Sequence, residues 1–450
     1  MNDSHQATTT TANPTTQSAN KKQKVSNDDS NMTTNAAADF ALKGKHVNVA
    51  MLTAGGLAPC LSSSVCHLAK HWIESYKAGI ISGLTLRFYR DGYRGLLTGD
   101  SFIVPEAEWA SMEALDMIGG SPIGNSRVKL TNVADCIKRG YVKEGGTPLE
   151  VASQTLLADD VNVVHTIGGD DTNTQAAVLS KYLLEKHGGK VTVVGMPKTI
   201  DNDVVPIKQT FGADTAARQG AIFFTNVVSE STANPRMLVL HECMGRDSGF
   251  LTARTAYYYR ESLQEMTFAS SLFPSHRQSR DVHAVWIPEV KLDLLAEGAR
   301  LKKIMDEYGC VNVFFGEGTG VEEIVRDMEA KGEEVPRDAF GHVTLAKVNP
   351  GAYFSKRLAE VVGAEKTIVQ KSGYFARSAA ANEFDRALIG ACAKEAVRSA
   401  IDGISGCMGE DEEKEGAPIR PIEFERIKGG KAFDVSQEWF QKTLKDIGQV

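Results

Sequence analysis

Four aspartates occupy the positions where this sequence first suggests chemistry. Asp170 and Asp171 end the string GGDD, while Asp201 and Asp203 lie in the string PKTIDND, and each string follows a short apolar run. Carboxylates crowded together repel one another, so a cluster of them persists where a cation or a proton-transfer task uses it. These residues therefore predict a site that binds a metal ion and moves a proton.

Asp170 directly follows two glycines at the end of an apolar run. Mg²⁺ prefers oxygen ligands and keeps several waters and phosphate oxygens around it. We therefore expect Asp170 to hold Mg²⁺. Helix capping by Asp171 or Thr172 is the ordinary alternative, although capping explains one acidic residue more easily than two.

The string PKTIDND suggests a division of roles between two carboxylates. In extended backbone the side chains of residues i and i+2 face the same way, about 6 to 7 Å apart. Asp201 and Asp203 can then share a site, one near the metal and the other accepting a proton from a substrate hydroxyl. Lys198 and Thr199 precede them as donors for a phosphate. Taken alone, an Asx-type turn explains the string DND equally well.

Glycine turns and separate arginines follow several other apolar runs. Two glycines after a strand let backbone N–H groups approach an anion, and an arginine offers a bidentate fork for phosphate. The Walker lysine and the full GxGxxG spacing are missing, which disfavours a P-loop ATPase and a dinucleotide-binding fold. The combination predicts phosphoryl transfer, in which a protein mainly positions phosphates and neutralises charge. The further candidate residues are Gly55, Arg127, Arg246, Glu317, Tyr374 and Arg377.

Composition narrows the class of protein. The 450 residues carry a net charge of -7, with 42 % hydrophobic and 24 % charged residues. No window approaches the roughly 18 apolar residues that a membrane span needs, and the dispersed basic residues do not resemble a nucleic-acid footprint. The seven scattered cysteines, without a CxxC pair, fit buried thiols in a reducing cytosol. We expect a cytoplasmic enzyme that binds neither membrane nor nucleic acid.

The elements that must position these residues repeat one pattern from residue 46 onward. Short apolar runs end in glycine turns and lead into helices, which predicts an α/β fold with parallel strands buried on both faces. In such sheets, ligands bind beyond the carboxyl ends of the strands. We expect residues 1–39, a polar tract without aromatics, to be disordered, and residues 409–421 to form an exposed loop after a helix at 382–402. The predicted strands lie at 46–53, 161–169, 190–197, 236–245, 283–290 and 310–318.

Over roughly residues 45 to 405 the chain resembles the phosphofructokinases, through the strings TIDND, MGR and GGDD. The resemblance implies two Rossmann-like lobes with mostly parallel sheets and an active site between them. A larger lobe, about 45–230, would bind the phosphoryl donor. A smaller lobe, about 231–405, would bind the sugar phosphate, and residues 406–450 would form an acidic loop and a closing segment. It also implies a homodimer or homotetramer with shared active sites.

Residue roles follow from the resemblance, with fructose 6-phosphate as the acceptor and Mg²⁺ as the metal. The implied roles are the general base (Asp201), the metal-associated acid (Asp170), the second acid of the string (Asp203), phosphate and donor binding (Gly55, Lys198, Thr199), the arginine bridging both phosphates (Arg127) and sugar-phosphate binding (Met244, Gly245, Arg246, Glu317, Tyr374, Arg377).

Asp171 and Lys198 point to the pyrophosphate-dependent branch of that family, because ATP-using members typically have glycine at both positions. A carboxylate about 4 Å from a nucleotide phosphate costs about 1 kcal/mol in water and about 4 kcal/mol at an effective dielectric of 20. Lys198 can pair with compact pyrophosphate.

Several alternatives stay open from the sequence. An ATP-dependent phosphofructokinase and another substrate such as sedoheptulose 7-phosphate are the nearest rivals. A non-catalytic subunit that senses a sugar phosphate is disfavoured by the intact strings TIDND and MGR, and a nicotinamide-dependent oxidoreductase by the acidic turn. Arg236 and Lys371 are candidates for the basic residue that a neighbouring subunit would contribute.

Overall fold

The structure, a computed structural model, describes residues 41–269, 271–272, 276–337 and 343–449. Residues 1–39, predicted to be disordered, lie outside the described residues. The strands are β1 His46–Thr53, β2 Gly83–Tyr89, β3 Ser101–Val104, β4 Val163–Gly168, β5 Thr192–Pro197, β6 Met237–Cys243, β7 Ala284–Trp286, β8 Cys310–Gly316, β9 Lys366–Lys371, β10 Gly406–Glu410 and β11 Ile419–Ile422.

The strands form a seven-stranded sheet in the order β11-β10-β5-β4-β1-β2-β3 and a four-stranded sheet in the order β7-β8-β6-β9. All pairs in the smaller sheet are parallel, and the larger sheet is parallel except at its two edges. Every residue of β4, β5, β6 and β8 is buried. The predicted α/β class, with parallel strands covered on both faces, is therefore confirmed.

Helices cover both sheets. The α-helices are α1 Leu61–Lys77, α2 Tyr93–Thr98, α3 Val133–Lys138, α4 Pro148–Ala158, α5 Asp170–His187, α6 Ala213–Val227, α7 Phe250–Glu265, α8 His276–Arg280, α9 Leu294–Tyr308, α10 Val321–Ala330, α11 Leu345–Val348, α12 Pro350–Val362, α13 Gly373–Arg377, α14 Glu383–Ile401 and α15 Glu438–Asp446. Helices α1 and α14 pack on one face of the larger sheet, and α4 and α5 on the other. Among the described residues, none of the helices has the length and apolar character that a membrane crossing requires.

Helix α6 lies between the two sheets, sharing the core of the larger sheet through Ala216 and Ala217 and that of the smaller sheet through its other buried residues. Ala213, Ala221 and Phe224 of α6 share a core with Met237 and Val239 of β6. The chain therefore crosses between the sheets near residue 212, and it crosses back through α14. The two sheets are therefore joined by more than one connection.

The segment 409–421, predicted to be an exposed loop, has an exposed turn at residues 412–416, but its two ends belong to an antiparallel hairpin of β10 and β11, with β10 parallel to β5. Cys407, Met408 and Ile422 are completely buried. Asp411 is also buried and accepts hydrogen bonds from Arg420 and Arg426. Buried apolar side chains that flank the segment, and the ion pairs of the buried Asp411 with two half-buried arginines, hold the two ends of the segment in the hairpin.

Candidate active site

The residues predicted to act together lie at the carboxyl ends of strands from both sheets. Gly55 follows β1, Asp170 follows β4 and Lys198 follows β5, all in the larger sheet. Met244 follows β6 and Glu317 follows β8 in the smaller sheet. This is the edge at which parallel α/β sheets bind ligands, and here it contains two adjoining cavities.

The larger cavity, called the wide cleft below, has a volume of about 700 Å³. The smaller one, called the narrow pocket, has a volume of about 250 Å³. The predicted residues lining the wide cleft are Gly55, Arg127, Asp170, Asp171, Lys198, Thr199 and Arg246. Those lining the narrow pocket are Arg127, Lys198, Thr199, Asp201, Met244, Glu317 and Arg377.

Arg127, Lys198 and Thr199 line both cavities and so mark their junction. A group bound in the wide cleft and a group bound in the narrow pocket would both contact these side chains. Two cations and a hydroxyl suit the oxygens of a phosphate at this point.

Asp201 is the carboxylate of the narrow pocket. Burial, together with the neighbouring Asp203 and Glu317 carboxylates, raises the pKa of Asp201 to about 7. Its Oδ1 atom is buried and has no hydrogen-bond partner in the part of the chain that the structure describes. Its backbone oxygen accepts a hydrogen bond of 2.9 Å from the Ser248 hydroxyl, which ties it to the smaller lobe. A buried carboxylate with a free oxygen and a pKa near neutrality is suited to accept a proton.

Lys198 is buried beneath the glycine turn that follows β1. Its Nζ atom donates a 2.7 Å hydrogen bond to the backbone oxygen of Gly56. Burial lowers the pKa of Lys198, and the nearby Arg377 and Arg127 lower it further. Gly55 has φ +85°, and a Cβ atom there would lie 3.4 Å from the lysine Nζ. That distance is an ordinary contact, so it is the positive φ that favours glycine at this turn, whose next backbone oxygen, that of Gly56, holds the ammonium group at the junction.

Asp170 and Asp203 are close enough to affect each other. Burial and the nearby Asp170 carboxylate raise the pKa of Asp203, which also accepts a hydrogen bond from the Thr199 hydroxyl. Within the described ranges, no group of three or more His, Cys, Asp or Glu side chains is arranged to hold a metal ion. Mg²⁺ is commonly held by one or two carboxylates together with phosphate oxygens and water. Two neighbouring carboxylates, one of which, Asp170, lines the wide cleft, fit that mode of binding.

The string TIDND does not have the extended backbone predicted for it. Asn202 has φ 51°, in the left-handed region, and its Oδ1 atom accepts a 2.8 Å hydrogen bond from the Thr210 backbone N–H. This side-chain bond, which spans eight residues, favours a turn over a strand. Asp201 and Asp203 nevertheless stay near each other, as the effect of Asp203 on the Asp201 pKa indicates.

Asp171 lies in the first turn of α5, where the N-cap is Gly169 and makes no side-chain capping hydrogen bond. The Asp171 carboxylate instead forms a 2.7 Å ion pair with Lys129, and its side chain is 67 % exposed. Capping therefore does not explain the residue. The ion pair also offsets part of the negative charge that was expected to repel a nucleotide.

The smaller lobe contributes the far wall of the narrow pocket. Glu317 accepts a hydrogen bond from the Gly245 backbone N–H, while burial and the nearby Glu242 raise its pKa. Arg377 donates from Nε to the Leu57 backbone oxygen at 2.8 Å. An anion in this pocket would meet the Arg377 guanidinium, and sugar hydroxyls would meet the carboxylate of Glu317.

Three predicted sugar-phosphate residues, Gly245, Arg246 and Tyr374, do not line the narrow pocket. Arg246 lines the wide cleft, although Met244 of the same string lines the narrow pocket. Tyr374 is 79 % exposed, and its ring lies 5.9 Å from the Arg377 guanidinium carbon. Its predicted role in binding the sugar phosphate stays a prediction.

The phosphofructokinase family matches residues 48–400 of this chain. The chain belongs to the phosphofructokinase family. A relative from Methylomonas methanica, named pyrophosphate–fructose 6-phosphate 1-phosphotransferase, is 53 % identical over 405 residues, which cover 90 % of this chain and 97 % of the relative. A relative of the same name from Mastigamoeba balamuthi is 53 % identical over 403 residues, covering 89 % and 96 %.

The fold is also shared with solved structures. The crystal structure of a pyrophosphate-dependent phosphofructokinase from Nitrosospira multiformis matches with a TM-score of 0.62 at 19 % identity, covering 88 % of this chain and 92 % of that one. At this identity the match supports the phosphofructokinase fold alone.

Arg236 and Lys371, the candidates for a residue shared between phosphofructokinase subunits, both have partners within this chain. Arg236 precedes β6, at the end of the strand opposite the site, and pairs with Asp306 at 2.9 Å. Lys371 ends β9 and pairs with the buried Glu242 at 2.7 Å. That Arg236 or Lys371 reaches the active site of a neighbouring phosphofructokinase subunit stays a prediction.

Sequence reasoning missed Lys129, the partner of Asp171. It also missed the glycine turn of residues 428–431, which packs on the acidic residues of the site. For Lys129, the nearness of Arg127 in the sequence was a usable signal. For the glycine turn, the usable signal was the string KGGK, because glycines permit close approach of the backbone to other groups.

Proposed function

We propose that this phosphofructokinase reversibly transfers a phosphoryl group from pyrophosphate to the 1-hydroxyl of fructose 6-phosphate, giving fructose 1,6-bisphosphate and phosphate in glycolysis and gluconeogenesis. The observation that carries the proposal is the junction of the two cavities, where Lys198 and Arg127 line both and Asp201 lines the narrow pocket. Pyrophosphate would occupy the wide cleft, and fructose 6-phosphate the narrow pocket.

In the forward direction Asp201 takes the proton of the 1-hydroxyl. The oxygen then attacks the near phosphorus of pyrophosphate, the bond from that phosphorus to the bridging oxygen breaks, and phosphate leaves. In reverse, protonated Asp201 returns the proton to the sugar oxygen. A pKa of about 7 suits both directions, because the ionised and protonated forms are then both populated near neutral pH.

Charge in the transition state is spread over phosphoryl oxygens, so fixed cations at the junction contribute most of the stabilisation. Lys198 and Arg127 lie at that point, and Arg246 lines the wide cleft beyond it. Arg377 and Glu317 would orient the sugar phosphate from the other side of the narrow pocket.

Phosphofructokinases generally need a divalent metal ion, and we propose Mg²⁺ for this one. Asp170 would hold it, with Asp203 beside it. When bound, the ion would neutralise pyrophosphate oxygens. Asp170 lines the wide cleft, so the carboxylate lies on the side where the donor would bind.

Pyrophosphate is preferred to ATP as the donor because of Asp171 and Lys198, and the names of the two relatives at 53 % identity support this choice. The volume of the wide cleft does not by itself exclude a nucleotide. Obstruction by the Asp171–Lys129 pair is the stronger argument, since the ion pair offsets charge but still occupies space.

A coupled assay tests the proposal. Purified protein, fructose 6-phosphate and Mg²⁺ are coupled to aldolase, and pyrophosphate and ATP are compared as donors for the wild type and for the double variant Asp171→Gly with Lys198→Gly. We expect activity with pyrophosphate alone in the wild type and its loss in the variant. Wild-type activity with ATP alone would support the ATP-dependent alternative, and activity with neither donor would support a sugar-phosphate sensor. Unchanged pyrophosphate use in the variant would overturn the donor assignment.

We also propose a homodimer or homotetramer with shared active sites in the cytoplasm. Exposed aromatic side chains near the narrow pocket support an interface there, since Tyr374 is 79 % and Phe375 49 % exposed. The seven cysteines are free and buried, which agrees with a reducing compartment. Sedimentation equilibrium measures the oligomer, and a purely monomeric protein would contradict it.

A further inference from the structure

A short glycine turn near the C-terminus lies against the acidic residues of the site. We call residues Lys428, Gly429, Gly430 and Lys431 the KGGK turn. It lies beyond residue 400, where the match to the family ends.

Backbone hydrogen bonds join the KGGK turn to the loop that carries Asp201 and Asp203. The backbones of Lys428 and Val205 exchange two hydrogen bonds, of 2.7 and 3.1 Å, and the Lys431 N–H donates to the Asp203 backbone oxygen at 2.9 Å. The Lys431 ammonium group donates to the Ile207 backbone oxygen, also at 2.9 Å. The turn thus supports the outer side of the acidic loop along five residues.

Gly429 makes the closest approach to Asp170. A Cβ atom built on Gly429 would lie 2.4 Å from Asp170 Oδ2, 3.0 Å from its Cγ and 3.2 Å from its Cβ. The φ angle of Gly429 is outside the left-handed region, so the glycine is not needed for backbone conformation. A Cβ atom at this position would therefore displace the Asp170 carboxyl group from where it lies. The neighbouring Gly430 differs, because its φ is +83° and no atom of the described residues, apart from its own chain neighbours, lies within 4 Å of an added Cβ.

The chain on either side of the KGGK turn is firmly attached. Before it, Arg426 pairs with the buried Asp411. After it, the Phe433 N–H donates to Glu289 at 2.9 Å, and Glu289 also accepts from the N–H of Gly249, the residue preceding α7. The turn is held from both lobes, so it can act as a fixed wall.

We propose that Gly429 is a positioning residue, which holds the Asp170 carboxylate in place as part of the divalent-metal and pyrophosphate site. Asp170 and Asp203 repel each other when both are ionised, so each carboxylate needs a fixed surface to keep it near the other. The KGGK turn supplies that surface for both: Gly429 against the Asp170 side chain and Lys431 against the Asp203 backbone. The inference rests on the proposed function for the identity of the ligand.

The test compares Gly429→Ala with Gly430→Ala, the matched control in the same turn. Manganese binding is measured by electron paramagnetic resonance in the presence of pyrophosphate and without sugar, and kinetics are measured alongside. Residues that orient metal ligands typically change affinity by 10- to 100-fold. We expect Gly429→Ala to weaken manganese binding about tenfold and to raise KM for pyrophosphate, while KM for fructose 6-phosphate changes less than about twofold. Gly430→Ala should lower the melting temperature but leave manganese binding unchanged.

Equal effects of the two variants, or unchanged manganese binding in Gly429→Ala, would overturn the proposal. If Gly429→Ala does not fold, Asp170→Ala is added, because it removes the group with which the new methyl collides. Recovery of folding in that double variant would support the contact, and continued misfolding would overturn it. Manganese binding needs no turnover, so it decides this inference even if the coupled assay rejects pyrophosphate as the donor.

Discussion

The charged side chains of the narrow pocket and those of the wide cleft differ in their exposure to solvent. In the narrow pocket Asp201 is half-buried, its Oδ1 atom is fully buried and its pKa is raised to about 7, and Lys198 at the junction is only 5 % exposed. In the wide cleft Asp171 is 67 % exposed and its charge is paired with Lys129. Proton transfer requires a desolvated carboxylate of shifted pKa, whereas Asp171 contributes to donor choice mainly through the volume that it occupies.

This difference predicts how strongly each cavity responds to a change of charge. Electrostatic interactions are strong where water is excluded and weak where side chains remain solvated. Substitutions in the narrow pocket should therefore cost far more than similar substitutions in the wide cleft. Measuring the cost of substitutions in each cavity tests this difference.

The largest effect is expected for Asp201→Asn. The amide keeps the shape of the side chain but cannot accept the proton, so kcat should fall about 10²- to 10⁴-fold, the usual contribution of a general base. Steady-state kinetics with pyrophosphate measures this, and circular dichroism checks that the fold is unchanged. Asp402→Asn is the control, since Asp402 is an exposed residue at the end of α14. Near-normal turnover in Asp201→Asn would remove the base assignment and the contrast between the cavities.

A smaller effect is expected from pH. The raised pKa of Asp201, about 7, means that the carboxylate becomes protonated as the pH falls through 7. The forward reaction needs the ionised form, so kcat/KM for fructose 6-phosphate should be about fivefold lower at pH 6 than at pH 7. The reverse reaction needs the protonated form, so its kcat/KM should fall as the pH rises above 7. Identical pH profiles in the two directions would contradict a role for Asp201 in both.

Much of the site could be predicted because local patterns carry it. Apolar runs that end in glycine mark β1, β4 and β5, and the carboxyl ends of parallel strands meet at one edge. That reasoning alone brings Gly55, Asp170 and Lys198 together, as the structure does. Strands and the turns that directly follow them in the chain can thus be predicted from one sequence.

Contacts between distant segments could not be predicted. Lys129 meets Asp171 across 42 residues, and Gly429 meets Asp170 from near the C-terminus. The left-handed backbone conformation of Asn202 is accompanied by a hydrogen bond from Thr210, which lies beyond the string PKTIDND. The hairpin of β10 and β11 was missed because its strands are short and surround an acidic turn. In each case a tertiary contact outweighs the local preference.

The smallest effect is expected for Lys129→Met, which removes the partner of Asp171. Exposed ion pairs contribute about 0 to 1 kcal/mol, so kcat/KM for pyrophosphate should fall less than about fivefold. Arg139→Met is the matched control, because Arg139 also lines the wide cleft and forms an exposed ion pair, in its case with Asp135. A loss above about 100-fold, specific to Lys129, would mean that the pair acts as a desolvated unit when pyrophosphate binds. A change of charge in the wide cleft would then cost as much activity as one in the narrow pocket, and the difference between the two cavities would not hold.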